Sequence, residues 1–374
     1  MRRMKGAAGL LTALLLAFQL SAQTFALANE DNGIKVVPVN FTHNGYSYEI
    51  EGVAKSTDGD YQMKSPARLA ARKLPSTYDP RSSGEITTVK DQASTGACWA
   101  FSALACAEQD LIKKGLENPS TEFSVPALVL SSNSGTATGK DDFSSGGNWL
   151  FAASALANGQ GLCYEDYEPF LESGTGNMIV SENKKSVSEY RLNYVMELSS
   201  TTQVKRKIME LGAVSASYFA GNGYMNHNNT AYYDPDASKN TIINHSVTVV
   251  GWDDNYSKDN FRYKPANNGA WLVKGSWGAD QDNDGFYWVS YDEAEFGQFC
   301  CYDFEESCDN TYHYSKMTGY VVNASNDGSV YGANVFTAKA DEKLDKAGFM
   351  YVGKTGSADY TLSVYTNVSD SDPI

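Results

Sequence analysis

One stretch of the sequence constrains the fold more than any other, because it is helix-forming and almost uniformly apolar. Residues 96–107 read Gly-Ala-Cys-Trp-Ala-Phe-Ser-Ala-Leu-Ala-Cys-Ala, and a more polar segment then leads to Gly115. The Ala and Leu content and the glycine stop predict a helix of about four turns that begins near Cys98. Since its first half is apolar on most sides, this helix has to be enclosed by other elements. We therefore expect it at the centre of the fold.

The elements predicted after this helix change from helical to extended. Apolar spacing and glycine stops predict helices over 148–158 and 203–211. Three apolar, β-branched or aromatic runs separated by turns then predict strands, at residues 247–252, 270–274 and 285–291. Helices that precede strands favour an α+β fold with segregated halves.

The N-terminal 28 residues have the pattern of a secretory signal peptide. Basic residues open the chain, an apolar run follows over 7–20, and Ala26-Leu27-Ala28 supplies a small-x-small cleavage pattern. The run is too short for a membrane span. Its removal leaves 27 basic against 45 acidic residues, a net charge of −18. We therefore expect a secreted or cell-surface protein without a transmembrane segment in the mature chain, and the acidic charge argues against nucleic acid as a partner.

The segments on either side of the central region differ from it in texture. Residues 29–73 are polar and contain two predicted strands, at 34–39 and 46–53, which fits either a leader that serves as a short pro-segment or an added pair of strands. In residues 306–374 only strands are predicted. A β-sandwich usually needs ~100 residues. We therefore expect a partial β-sandwich here, an incomplete domain.

Two residues suit nucleophilic catalysis by a thiolate and a base. Cys98 lies at the predicted N-terminus of the central helix, where unpaired N–H groups and the helix dipole lower a thiol pKa. Of the four histidines, His245 opens an apolar strand, and a histidine held so rigidly suits a catalytic base. Each residue alone is more often structural, since a cysteine in an apolar helix is commonly part of the core. Their shared context decides between these interpretations.

That context is an ordered set of motifs that resembles the papain-like cysteine peptidases. Gln92 ends Val-Lys-Asp-Gln and precedes Cys98, within Gly-Ala-Cys-Trp-Ala-Phe-Ser, by six residues. His245 follows Cys98 by 147 residues, within the ~130–150 typical of the family. A Gly-Gly pair at 146–147 and Ser-Trp-Gly at 276–278 complete the order.

The resemblance implies a papain-like two-lobed fold over residues 74–305, with a helical lobe beside a β-barrel-like lobe. It implies that Cys98 attacks a peptide carbonyl to form an acyl-thioenzyme and that His245 protonates the leaving amine. The Gln92 amide and the Cys98 N–H would form the oxyanion hole. The residues implied to line the substrate cleft are Gly146, Gly147 and Trp277. Protein or peptide substrates are implied, and no cofactor.

The sequence departs from the family at the residue that orients the catalytic imidazole. The family has an asparagine directly before Ser-Trp-Gly, whereas this chain has Gly275. Glycine has no side chain that holds an imidazole tautomer, so an active enzyme needs a water, a backbone carbonyl or a shifted neighbour instead. The alternative is a catalytically impaired surface adhesion or carbohydrate-binding protein with a degenerate peptidase domain. A transglutaminase-like enzyme explains neither Gln92 nor Ser-Trp-Gly.

The cysteine pattern also departs from the family. The cysteine three residues before the nucleophile is replaced by Thr95, and its disulfide partner corresponds to Ser144. The resemblance therefore implies the loss of one bridge. For the remaining cysteines, a bridge from Cys300 or Cys301 to Cys308 and reduced buried thiols are both left open.

Two further motifs lie outside the proposed catalytic set. Asp280, Asp282 and Asp284 match the opening of a D-x-D-x-D-G calcium loop, but the twelfth position is Tyr291 and not Glu. A solvated acidic turn is the default interpretation, and no metal is expected. Short strings in the C-terminal segment resemble a lectin-like domain found behind bacterial papain-like peptidases, which implies cell-surface carbohydrate as a partner; they lie at 332–337, 347–349 and 364–366.

Overall fold

The computed structural model describes most of residues 73–307 and the backbone of two earlier strands. Nearly all of this part belongs to one compact unit, formed by residues 37–54 and 60–318, and a second unit groups residues 1–36, 55–59 and 319–374. The described residues are 35–43, 46–54, 73–132, 143, 146–157, 162–167, 169–170, 189–221, 223–228, 230–237, 242–279, 284–307, 337 and 339.

Four α-helices and eleven β-strands occur along the described residues. The helices are α1 (Cys98–Lys113), α2 (Val125–Ser132), α3 (Trp149–Ala157) and α4 (Thr201–Leu211). The strands are β1 (Lys35–His43), β2 (Tyr46–Ala54), β3 (Thr77–Tyr78), β4 (Tyr190–Glu197), β5 (Val214–Tyr218), β6 (Ala231–Tyr232), β7 (Ile242–Ile243), β8 (His245–Asp253), β9 (Ala270–Lys274), β10 (Phe286–Ser290) and β11 (Gly297–Glu306). The mixed content confirms the predicted α+β class. No helix in this part of the chain is long and apolar enough to cross a bilayer.

The described strands form two sheets. The larger sheet has the order β4-β11-β5-β8-β9-β10-β6, with β3 also paired to β8. Its path is open, and only the β10–β6 pair is parallel. The smaller sheet has the order β1-β2-β7. Its first two strands are those predicted in the leader, and β2 pairs with Ile242–Ile243. This pairing ends two residues before His245.

Helix α1 is the buried centre that its composition predicts. Every residue from Cys98 to Leu111 is buried, because strands β5, β8 and β11 and helices α2, α3 and α4 all contact the helix. Gly115 ends the helix with a left-handed φ of 70°, and the N–H of Leu116 donates to the Leu111 carbonyl at 2.9 Å. The predicted enclosure is therefore confirmed.

Two hydrophobic cores give the fold its two lobes. The first surrounds α1 and includes side chains from α2 and α3, among them Trp99, Leu104, Leu111, Leu128 and Leu156. The second lies between α4 and the inner strands of the large sheet, with Val204, Ile208, Val249, Val273 and Tyr287 among its members. Ser200 caps α4 by accepting from the Gln203 N–H, and Gly212 ends it with a φ of 85°.

A buried charge network ties α1 to the sheet. Glu108 accepts hydrogen bonds from the Thr87 hydroxyl at 2.7 Å and the Phe123 N–H at 3.1 Å. Its carboxylate lies 3.5 Å from Lys90 Nζ and 3.9 Å from Lys274 Nζ. Burial lowers the pKa of Lys274 to about 8, because desolvation disfavours the ammonium more than Glu108 favours it.

The start of α1 also fixes the Gly-Gly segment. An ideal Cβ on Gly147 would lie 2.4 Å from Nε1 of Trp99. The Trp99 ring meets Phe151 of α3 edge to face, with centroids 6.2 Å apart. The N–H of Gly96 donates to the Phe143 carbonyl at 2.7 Å. Only glycine at position 147 leaves room for the indole, so Trp99 is a packing residue.

We predict that Gly147→Ala destabilises the fold by about 1–3 kcal/mol, because the added methyl overpacks the Trp99 ring. Urea denaturation of the variant and the parent protein measures the change. Gly297→Ala is the matched control, since a Cβ there meets nothing within 4 Å. Equal stability of the two variants would show that Trp99 does not pack as described.

A second prediction concerns the pH dependence of stability through Lys274. Between pH 8 and the ordinary lysine pKa of 10.5, the unfolded chain binds a proton at this residue that the folded chain does not. Its contribution to the free energy of unfolding therefore rises with pH in this window, by up to about 1.4 kcal/mol per pH unit. Relative to Lys274→Met, the parent protein should gain stability from pH 8 to pH 10 in urea titrations. Parallel curves would contradict the shifted pKa.

Candidate active site

The N-terminus of α1 places Cys98 against the start of β8. The backbone N–H groups of Ser246, Trp99 and Cys98 and the Ser246 hydroxyl lie near its sulfur. These donors lower the thiol pKa, as the helix position predicts. Burial nevertheless raises it to about 11, because the enclosed site disfavours a thiolate more strongly than the donors stabilise it. The prediction of a net lowered pKa is therefore wrong for the thiol by itself.

His245 opens β8 and lies between aromatic side chains. It is only 2% exposed. The indole of Trp277 stacks on its ring, with centroids 4.4 Å apart and planes at 8°. Tyr218, directly opposite in the β5–β8 pairing, meets the ring at 65° with centroids 5.9 Å apart. Because Ser246 contacts the Cys98 sulfur, the first two residues of β8 bring His245 next to the thiol segment.

Gln92 is held rigidly beside the same helix start. Its N–H donates to the Ser276 carbonyl at 2.7 Å, and its side-chain oxygen accepts from the Ser276 hydroxyl at 2.6 Å. Its side-chain nitrogen donates to the Thr95 carbonyl at 2.7 Å. The Thr95 hydroxyl in turn donates to the Gln92 carbonyl, also at 2.7 Å. The Thr95 hydroxyl therefore stabilises this turn at the position where the papain-like peptidases have a cysteine.

The remaining cleft residues predicted from sequence lie around this group. Gly146 is buried and Gly147 lies against Trp99. Trp277 covers His245 and forms an isolated β-bridge with Asp91. Gly275 follows β9, and its N–H donates to the Gly285 carbonyl at 3.0 Å. The structure therefore brings the Gln92, Cys98, His245 and Trp277 segments to one place.

Three residues of the candidate site, Ser246, Tyr218 and Tyr287, were not identified from the sequence. Ser246 was visible only as part of the apolar strand that His245 opens. Tyr218 and Tyr287 were not distinguished from core aromatic residues. The signal that identifies them is the cross-strand register, which a single sequence does not specify.

Two other predictions have different outcomes. Asp280 and Asp282 lie outside the described residues, and Asp284 has a left-handed φ of 54°, so the calcium loop stays an untested alternative. Cys300 and Cys301 are buried free thiols, which corresponds to the reduced alternative rather than a bridge to Cys308, a residue outside the described part.

Comparison with known proteins gives two family matches. Residues 74–328 match the family described as papain family cysteine protease, and residues 311–374 match the family described as lectin like domain. Among curated relatives, cathepsin S of Bos taurus is 29% identical over 218 residues, covering 58% of this chain and 60% of the relative. Cathepsin K of Mus musculus is 24% identical over 216 residues, covering 57% and 59%. The chain spans about three fifths of the length of these relatives.

A solved structure shares both kinds of domain. It contains the cysteine protease and lectin-like domains of Cwp84, a surface layer associated protein of Clostridium difficile. The sequence identity is 31% and the TM-score is 0.58, with 64% of this chain and 53% of that chain covered. The papain family match covers more than half of the chain and contains the motifs at Gln92, Cys98 and His245. The chain therefore belongs to the papain family of cysteine proteases.

Proposed function

We propose that the chain is a secreted cysteine endopeptidase that hydrolyses peptide bonds through Cys98 and His245. One observation carries the proposal. The Cys98 sulfur lies at the start of α1 and contacts Ser246, the residue directly after His245. The fixed amide of Gln92 lies beside the same helix start. A nucleophile, a base and an oxyanion donor in one place are the parts that acyl transfer needs.

The proposed reaction passes through an acyl-thioenzyme. The Cys98 proton moves to His245, and the sulfur attacks the peptide carbonyl carbon. The C–N bond of the resulting tetrahedral intermediate breaks as His245 donates that proton to the leaving amine. A water then attacks the thioester with His245 as base, which releases the carboxylic acid and restores the thiol. Protons and electron pairs balance over the two steps without a cofactor.

The raised pKa of Cys98 makes His245 essential in this scheme. At a pKa of about 11, an isolated thiol is almost entirely protonated at neutral pH. The thiolate therefore forms only as the partner of an imidazolium, since the opposite charge offsets the desolvation of the sulfur. Stacking on Trp277 shields this pair from water.

Gln92 is suited to the oxyanion role because its amide cannot rotate. The Thr95 carbonyl takes one of the two side-chain N–H groups, and Ser276 holds the oxygen. Because the amide is planar, fixing its nitrogen and its oxygen also fixes the direction of the second N–H. Donors fixed before the reaction stabilise a developing oxyanion without reorganisation.

Location and domain organisation belong to the same proposal. The signal pattern in residues 1–28 supports secretion, residues 29–73 would form a leader or a short pro-segment, and the catalytic domain would occupy 74–305. The protease and lectin-like domains of the similar Cwp84 structure belong to a surface layer associated protein. The lectin like match supports carbohydrate binding at the cell surface by residues 306–374. Proteins or peptides are the proposed substrates of the catalytic domain.

An impaired peptidase that serves in adhesion is the second candidate. Two observations favour it, namely the glycine at position 275 and the raised pKa of the Cys98 thiol. Such a protein would keep the fold and the lectin-like segment without turnover. Hydrolysis by the mature chain distinguishes the two candidates.

We predict that Cys98→Ala abolishes hydrolysis of a peptide library by the mature chain while the protein stays folded. The side chain is small and buried, so alanine fits the same space. Cleavage products identified by mass spectrometry report turnover, and circular dichroism reports the fold. Unchanged turnover in the variant would exclude Cys98 as the nucleophile, and no turnover by the parent protein would favour the adhesion candidate.

We predict that Gln92→Glu lowers kcat by about 10²–10³, the loss typical of one oxyanion donor. Glutamate keeps the shape and the acceptor for the Ser276 hydroxyl but loses both side-chain N–H groups, including the one that donates to the Thr95 carbonyl. Thermal melting of the variant therefore accompanies the kinetics, to separate a loss of stability from a loss of kcat. The matched control is Gln203→Glu at the start of α4, where the side-chain oxygen is an acceptor for the Ser199 N–H. Steady-state kinetics on a peptide from the library measures both variants, and equal kcat values would remove Gln92 from the proposed site.

A further inference from the structure

A tyrosine from the neighbouring strand occupies the space beside the missing orienting side chain. An ideal Cβ on Gly275 would lie 3.3 Å from Cε1 of Tyr287 and 3.1 Å from the Gly285 carbonyl oxygen. Both distances are shorter than ordinary van der Waals contact, so a side chain at position 275 competes with the Tyr287 ring. The absence of a side chain on Gly275 therefore leaves room for the Tyr287 ring.

The hydroxyl of Tyr287 is bonded to a second buried tyrosine. It lies 2.9 Å from the hydroxyl of Tyr218, and the two residues are 4% and 1% exposed. Burial raises the pKa of both phenols above its ordinary value, so both are neutral at physiological pH. One hydrogen bond between the two hydroxyls fixes the positions of both rings and uses only one of their two hydrogens.

Tyr218 connects the pair of tyrosines to the His245 imidazole through a contact between the two rings. It lies opposite His245 in the β5–β8 register, and the two rings meet at 65° with centroids 5.9 Å apart. Trp277 stacks on the imidazole at 4.4 Å. The contact therefore restrains the orientation of His245.

We propose that the hydrogen-bonded pair of Tyr218 and Tyr287 positions His245 in place of a side chain at position 275. The inference rests on the proposed peptidase function and concerns how its base is held. A catalytic base needs a third group that orients it. Tyr287 acts through Tyr218, so it is a positioning residue and does not take part in the chemical steps.

The first test removes one hydroxyl and nothing else. We expect Tyr287→Phe to lower kcat ~10-fold or more, as a partial loss of the 10²–10⁴ that a positioned base supplies, with KM changed less than about twofold. Tyr291→Phe is the matched control, since its hydroxyl bonds Asp254 at 2.9 Å in the same lobe. We expect the control to keep kcat, and thermal melting reports any stability change in either variant.

The second test restores an orienting group in the freed space. Gly275→Asn alone should not raise kcat, because Tyr287 and the Gly285 carbonyl crowd the new side chain. In a Tyr287→Ile background, which clears the ring, Gly275→Asn should raise kcat above that of Tyr287→Ile.

The outcomes separate this inference from the proposed function. If Tyr287→Phe and Tyr291→Phe have equal kcat, the tyrosine pair does not position His245 and the inference is overturned, while the peptidase function stands. The inference is also overturned if Gly275→Asn alone raises kcat. If the parent protein and Cys98→Ala both fail to hydrolyse the peptide library, both proposals fall.

Discussion

Helix α1 and strand β8 meet through buried hydroxyl groups, and the geometry of the site depends on that contact. The Ser102 hydroxyl lies 2.7 Å from the Val247 carbonyl and 2.8 Å from the Ser215 hydroxyl. Since the helix is apolar on most sides, this contact sets its rotation against the sheet. One turn earlier, the Cys98 sulfur then faces Ser246. A slip of β8 by one residue would move His245 to the opposite face of the sheet, so register and catalysis are coupled.

The same burial that fixes the site also creates its chemical difficulty. An enclosed thiol resists ionisation, and the helix terminus only reduces this effect. A stable thiolate therefore needs an imidazolium close by, and that imidazolium needs to be held. Trp277 and Tyr218 surround the ring of His245 with aromatic side chains, which exclude water and restrain the ring. In this account Gly275 and Tyr287 are complementary: the glycine leaves the space and the tyrosine fills it.

Much of the fold was predictable because local pattern and burial agree there. The composition around Cys98 predicted α1 and its enclosure, and the apolar runs predicted β8, β9 and β10. Helix α2 was missed because Val125–Ser132 is a short apolar run that has no helical periodicity of its own. Strand β5 was missed because it has only five residues, and its serines and alanine leave no β-branched or aromatic run. The thiol pKa was predicted in the wrong direction, since a sequence shows the helix terminus but not the depth of burial. The roles of Ser246 and Tyr287 depend on cross-strand neighbours, which only the folded register supplies.

The pH dependence of Cys98 alkylation by iodoacetamide tests the central claim most directly. The buried thiol ionises only as a pair with His245. The parent protein should therefore react at pH 6–7 at a rate far above that of a thiol with a pKa of about 11, and His245→Ala should react only at alkaline pH. Equal rates for the two proteins across this range would contradict the account.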